Sequence, residues 1–289
     1  MIYEGDVYRP PSEAASLIIQ LTIGCANNSC RFCAMYKRKQ FRIRKLDEVI
    51  EDLYWVEKYY PYYFDRVFLA DGDALIVKTP DLITILDKIY EIFPQTKRVT
   101  IYGTARDVLR KSHEELCLLR SHGLEMVYIG AESGSEKVLR DVDKRVTAAE
   151  NVEACLKLKA AGIKVSMTLI TGLGGRGDSY EHAVESAKLV NAAKPEYLGL
   201  LTLNLEPDAP LTKDYLSGKF QANSPFEDLE EQKVFLEYVD SEGTVLRSNH
   251  VSNYVSLAGT LNQDKERMIA QLDAAIQSGR IRPERYRRL

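Results

Sequence analysis

Short apolar, β-branched runs alternate along this chain with longer amphipathic ones, and that alternation constrains the fold more than any other feature. It is the pattern of repeated strand–helix units, in which successive strands run parallel and helices cover the sheet. Strands are predicted near Ser16 to Ile23, Arg66 to Ala70, Arg98 to Tyr102, Met126 to Ala131, Lys164 to Thr171 and Tyr197 to Leu203. Helices are predicted at Leu46 to Tyr60, Pro80 to Phe93, His113 to His122, Thr147 to Ala161 and Ser179 to Ala193. The fourth helix shows the local logic: Val152, Cys155, Leu156 and Leu158 form an apolar stripe, Thr147 and Glu150 have capping-box spacing, and Gly162 follows the last turn.

Six units fall short of the eight in a complete barrel, so the α/β sheet is either an open partial barrel or a doubly wound sheet. After about Pro207 the rhythm gives way to a stretch rich in Pro, Gly and Asn, then to helices near Phe226 to Val239 and Gln263 to Ser278. Residues 1–207 are therefore read as the core and 208–289 as a C-terminal extension packed on it.

Composition narrows the class. With a formal net charge of −3, electrostatics give no general reason to expect a nucleic-acid partner. No apolar run approaches the roughly 20 residues of a membrane span, and no targeting segment is visible at the start. A cytoplasmic location is the default expectation, and five cysteines in such a chain read as reduced thiols rather than a disulfide framework. Cys117 and Cys155 fall on helices and are expected to be buried and inert.

Parallel sheets of either architecture bind ligands at the C-terminal ends of their strands. Those ends are the chemically interesting residues here. The first is followed by Gly24-Cys25-Ala26-Asn27-Asn28-Ser29-Cys30-Arg31-Phe32-Cys33, three thiols within nine residues. Such a set suits a soft metal. Zinc usually takes four protein ligands, yet the next Cys is Cys117 and the first His is His113. A [4Fe-4S] cluster held by three Cys leaves one iron open for chemistry. A Cys30/Cys33 redox pair is the remaining reading.

This loop, with the aromatic Phe32 directly before the last Cys, resembles the cluster-binding loop of radical S-adenosylmethionine (SAM) enzymes. The usual family spacing is Cys-x3-Cys-x2-Cys, and here the first gap is one residue longer. The resemblance runs over roughly residues 15 to 207. Asp71-Gly72-Asp73-Ala74 stands where the family has a Gly-Gly-Glu-Pro stretch that receives the SAM amino group. Ile129 to Ser135 is similar to the fourth-strand segment of the branch that includes elongator acetyltransferase-like and oxygen-independent coproporphyrinogen oxidase-like members. Thr171-Gly172-Leu173-Gly174-Gly175 looks like the glycine motif that lies against the adenine.

The resemblance implies a partial (β/α)6 barrel. It implies that Cys25, Cys30 and Cys33 hold a [4Fe-4S] cluster, with Phe32 shaping the adenine side. Asp73 would then take the SAM ammonium, Glu132 the ribose hydroxyls, and Gly172 and Leu205 the adenine. Lys144, Arg145 or Ser166 would serve the SAM carboxylate. The implied activity is reductive cleavage of SAM to a 5′-deoxyadenosyl radical that abstracts hydrogen from a substrate. An electron donor such as a flavodoxin or ferredoxin is implied with it. The alternative is an Fe–S or haem carrier without SAM turnover.

For the substrate, Ser248 to Tyr254 packs hydrogen-bonding side chains where the strand rhythm has ended, as in a loop over a barrel mouth. Asn249, His250, Asn253 and Tyr254 are its candidates, with Tyr36 from the cluster loop. No cobalamin-binding, RNA-binding or cysteine-rich extra domain is recognisable, so a small metabolite or tetrapyrrole-like molecule is expected.

Overall fold

The computed structural model describes residues 3–287, which divide into two compact units. The first contains residues 3–28, 35–129 and 156–165; the second contains residues 29–34, 130–155 and 166–287. The fold is α/β with a mostly parallel sheet.

In the first unit, β1 (Leu17–Gln20), β4 (Arg66–Ala70), β5 (Arg98–Gly103) and β6 (Leu124–Glu132) lie side by side in that order, all parallel. Two short strands, β2 (Thr22–Ile23) and β3 (Arg42–Ile43), pair antiparallel beside them. The single strand expected over Ser16 to Ile23 is therefore two. The chain leaves the parallel ladder at Leu21, and Thr22 and Ile23 pair with the segment returning from the cysteine loop. Helices α1 (Leu46–Tyr59), α2 (Thr79–Ile92), α3 (Ala105–Arg110) and α4 (His113–Ser121) connect the strands. Within this unit Ile18, Phe68, Ala70, Met126 and Tyr128 form an apolar cluster, with Tyr102 edge-on to Phe68 at 4.8 Å between ring centres.

The second unit contains the end of β6, then α5 (Glu136–Asp141) and the start of α6 (Ala148–Ala160). There follow β7 (Lys164–Thr171), α7 (Ser179–Ala193), β8 (Tyr197–Thr202), α8 (Pro210–Leu216), α9 (Pro225–Tyr238), β9 (Val245–Ser248), β10 (Leu257–Thr260) and α10 (Lys265–Ser278). Strands β7, β8 and β9 are parallel neighbours, and β10 returns antiparallel to β9. Neither β9 nor β10 was expected from the pattern, because four-residue strands such as Val-Leu-Arg-Ser carry too little periodicity to stand out. Their effect is to bring the Ser248 to Tyr254 segment to the C-terminal edge of β8, the ligand-binding edge of a parallel sheet.

Alternation along β7 separates two faces. Val165, Met167, Leu169 and Thr171 are buried, whereas Ser166, Thr168 and Ile170 are only partly so, and β8 repeats the pattern in register. Of the five helices expected before Pro207, all form within a residue or so of their predicted bounds.

Candidate active site

In the first unit the site is organised around a carboxylate. Asp71, at the end of β4, is fully buried. Its Oδ2 accepts the Gly24 N–H at 3.0 Å and the Lys39 ammonium at 2.8 Å, and Gln20 Nε2 donates to it at 3.2 Å. One side chain thus ties the residue before Cys25 to Lys39, beyond Cys33. Charge-assisted hydrogen bonds of this kind hold a loop more firmly than neutral ones.

The next residue must be glycine. A Cβ on Gly72 would lie 2.5 Å from Cε2 of Tyr36, whose ring covers the turn and meets Tyr8 edge-on at 5.6 Å. Tyr36 is only 5% exposed, and its carbonyl accepts Asn28 Nδ2 at 2.6 Å. Asp73 follows, almost fully buried, with Oδ1 lacking any hydrogen-bond partner. Burial, reinforced by the neighbouring Asp107 carboxyl, pushes Asp73 up to about 9. Asp107 is itself fixed as the capping-box partner of Thr104 at the start of α3.

In the second unit, residues 29–34 are held by backbone. Arg31 N–H donates to Val142 O at 2.9 Å, Leu211 N–H donates to Arg31 O at 2.8 Å, and Ser29 Oγ donates to Asp143 O at 3.1 Å. Arg31 also pairs with Asp214. Phe32 packs, with Ile170, Leu203 and Leu205, against a cluster of Val138, Val142, Leu173 and Leu211. Phe32 and Leu205, both expected on the adenine side, pack against the same apolar cluster. Gly172, at the end of β7, has φ +80.

Glu132 also has positive φ, +68, at the end of β6. Its Oε1 accepts the Lys144 ammonium at 2.9 Å and lies over Gly130, where a Cβ would be 2.1 Å away. Lys144 and Glu132, expected at different ends of SAM, form an ion pair. Ser166 is half-buried on the more open face of β7. Arg145 is exposed and pairs with Asp143.

The loop after β9 is pinned rather than loose. Asn253 is fully buried, accepting Thr202 Oγ1 at 2.8 Å and donating to Leu200 O at 2.8 Å. Tyr254 is buried beneath the Arg287 guanidinium, 3.8 Å from its ring centre. His250 Nδ1 accepts the Ser252 N–H at 3.2 Å, which leaves the ring proton on Nε2. Burial holds His250 below the ordinary histidine range. Asn249 is exposed.

Two expectations are overturned. Leu156, expected on the apolar stripe of α6, is 48% exposed, the buried face running through Asn151, Ala154, Cys155 and Leu158. Cys117 is exposed, because Leu116 and Leu119 define the buried stripe of α4 and turn the intervening positions outward; its Sγ lies 3.4 Å from His113 Nε2. Cys155 is buried as expected. In the first unit a cavity of about 230 Å³ lies at the start of β1, lined by Tyr3, Arg9, Trp55, Tyr60 and Phe64.

Among the described residues, no three His, Cys, Asp or Glu side chains are gathered to hold one metal ion. Thiolates on a [4Fe-4S] cube bind separate irons, so a cluster asks for a wider spacing than a single zinc ion does.

Comparison with known families decides the class. Residues 19–190 match the model of the Radical SAM superfamily, well over half the chain. The chain belongs to that superfamily. This radical SAM enzyme is 24% identical over 173 residues to a proposed methylthiotransferase from Methanocaldococcus jannaschii, an alignment covering 57% of this chain and 37% of that protein. It thus spans under two-fifths of the relative's length. Coproporphyrinogen III oxidase from Escherichia coli shares the fold with a TM-score of 0.57 at 17% identity, over 77% of this chain and 52% of that one. Methylornithine synthase does so with a TM-score of 0.55 at 15% identity, over 89% and 68%.

Radical SAM enzymes use a [4Fe-4S] cluster and SAM and draw on an electron donor. The residues present fit these cofactors: three thiols close together in sequence offer the donor set, and the unpartnered Asp73 Oδ1 offers an acceptor for an ammonium. No helix among the described residues is long and apolar enough to cross a membrane.

Sequence reasoning missed Asp71, whose one signal was its place beside Asp73 at the same strand end.

Proposed function

We propose that Cys25, Cys30 and Cys33 hold the [4Fe-4S] cluster and that the chain positions SAM for hydrogen abstraction from a small-molecule substrate. When bound, cluster and SAM together supply a one-electron cleavage yielding a 5′-deoxyadenosyl radical. The observation that carries the reading is Asp73: a buried carboxyl at a parallel strand end, one oxygen unpartnered, beside a second carboxyl. Without SAM a proton offsets that cost, and the SAM ammonium would offset it in the proton's place.

The other residues bind and orient. Asp71 fixes the approach to Cys25 through the Gly24 N–H, and Tyr36 covers the turn from water. Phe32 and Leu205 offer the adenine an apolar wall, and Glu132 accepts from the ribose. Because Lys144 is engaged by Glu132, Ser166 is the better donor for the SAM carboxylate. Tyr36, Asn253 and Tyr254 are committed to packing, which narrows the substrate contacts to His250, a fixed Nε2–H donor, and Asn249. A flavodoxin or ferredoxin is the proposed reductant.

Anaerobic reconstitution followed by reduction tests this. Four irons per chain and 5′-deoxyadenosine formed from SAM are expected. A protein that loads the cluster but leaves SAM intact would refute it.

A further inference from the structure

Helix α9 buries an unexpected face, in which Asp228, Glu231 and Gln232 lie together with Leu229, Phe235 and Leu236. Carboxylates are driven out of such places unless every oxygen finds a partner. Here the partners centre on the end of β7. Glu231 Oε1 accepts the Gly172 N–H at 2.8 Å and faces His182 Nδ1 at 2.9 Å, while its Oε2 accepts Ser179 Oγ and Asn223 Nδ2. Asp228 Oδ1 accepts Asn223 Nδ2 at 3.1 Å and occupies the space beside Gly172, where a Cβ would be 2.5 Å away. Gln232 donates to Thr202 Oγ1 at 3.2 Å, at the end of the neighbouring strand. Two acids one helical turn apart therefore grip a single glycine in the left-handed region, one at its N–H and one at its Cα.

We propose that Asp228 and Glu231 are positioning residues for SAM, holding the Thr171 to Gly175 turn in the shape that receives the nucleoside end of the cofactor. This rests on the assignment of that turn to SAM made above. It gives the C-terminal extension a part in cofactor binding and not only in substrate binding.

The grip is sensitive to charge. Burial and the Glu231 carboxylate push Asp228 up to about 7, opposed by Asn223 and Arg287, with Glu227 adding to the rise; Tyr254 also feels the Asp228 charge. Below that point the pair carries at most one negative charge. Ionising Asp228 adds a second in a dry space, and the repulsion works against the grip.

The test is SAM affinity of the cluster-loaded protein by equilibrium dialysis, with iron content measured alongside. Glu231→Ala is expected to weaken SAM by about tenfold, the worth of one buried hydrogen bond, at unchanged iron. Glu231→Gln, which still accepts the Gly172 N–H, is expected to recover most of that loss. Hydrogen exchange of the Gly172 amide, read on the protein without SAM, should quicken in the Ala variant alone.

Asp228→Asn keeps the shape and removes the titration, so the ratio of wild-type to variant Kd should rise several-fold between about pH 6 and pH 8. That ratio cancels the contribution of Asp73, present in both proteins. Should Glu231→Ala fail to fold, the Asp228→Asn ratio decides alone. Wild-type SAM affinity in all three variants, or a ratio that stays flat, overturns the inference and leaves the SAM assignment standing. A wild-type protein that loads its cluster yet binds no SAM overturns the assignment itself.

Discussion

The Lys144 ammonium lies 2.9 Å from Glu132 Oε1, and each side chain is only 11% exposed. Removing one member of such a pair strands the other charge, which costs about 3–5 kcal/mol, whereas removing both costs far less. Lys144→Met should therefore lower the urea midpoint strongly, and Lys144→Met with Glu132→Gln should restore most of it. A double variant no more stable than the single one would show that the pair is not the reason. Glu132→Gln alone should weaken SAM binding at full iron loading, and unchanged affinity would remove its ribose role.

Cys25→Ala, Cys30→Ala and Cys33→Ala should each abolish the cluster, seen as lost iron and lost absorption of the reconstituted protein. Cys117→Ser should load normally. In the apoprotein a thiol reagent should modify Cys117 readily and Cys155 only on unfolding, since one is exposed and the other buried. Full iron in any of the three Ala variants would remove that residue from the ligand set.

Asp73 makes stability depend on pH with a definite sign. Burial and the Asp107 carboxyl push its carboxyl up to about 9 in the folded protein, from an ordinary value of 3.8. Between those values the folded state holds a proton that the unfolded state has released, so stability falls as pH rises. Asp73→Asn should flatten that slope, its Tm advantage over wild type widening from about pH 5 to pH 9. Binding an ammonium favours the carboxylate, so SAM binding near neutral pH should release a proton, measurable by calorimetry in buffers of different ionisation heat. No proton release would separate Asp73 from the ammonium.

Gly72→Ala places a methyl 2.5 Å from the Tyr36 ring, and overpacking of this kind costs about 1–3 kcal/mol. Tyr36→Leu should relieve it, so the double variant should melt above Gly72→Ala alone. If the double variant melts lower, the ring is not what forbids a side chain there.

The strand–helix rhythm of residues 16 to 203 could be read directly, because each element is long enough for its period to show, and the three thiols stood out by spacing alone. What could not be read was every group whose meaning depends on a distant partner. Asp71 matters because Gly24, Gln20 and Lys39 fold onto it, and Glu231 because Gly172, 59 positions earlier, points its N–H there. Cys117 went astray for a local reason: a helical stripe defined by two leucines leaves the position between them undecided until packing chooses.

The loop after β9 is fastened by Arg282 and Arg287. Arg282 donates to the carbonyls of His250, Val251 and Asn253, and Arg287 donates to Ser252 O at 2.6 Å and to Leu203 O at 2.9 Å. The proposed substrate loop is thus held from outside itself, by two arginines that follow α10. Replacing Arg282 and Arg287 with Gln then becomes a way to unbuckle that loop without touching a single residue inside it.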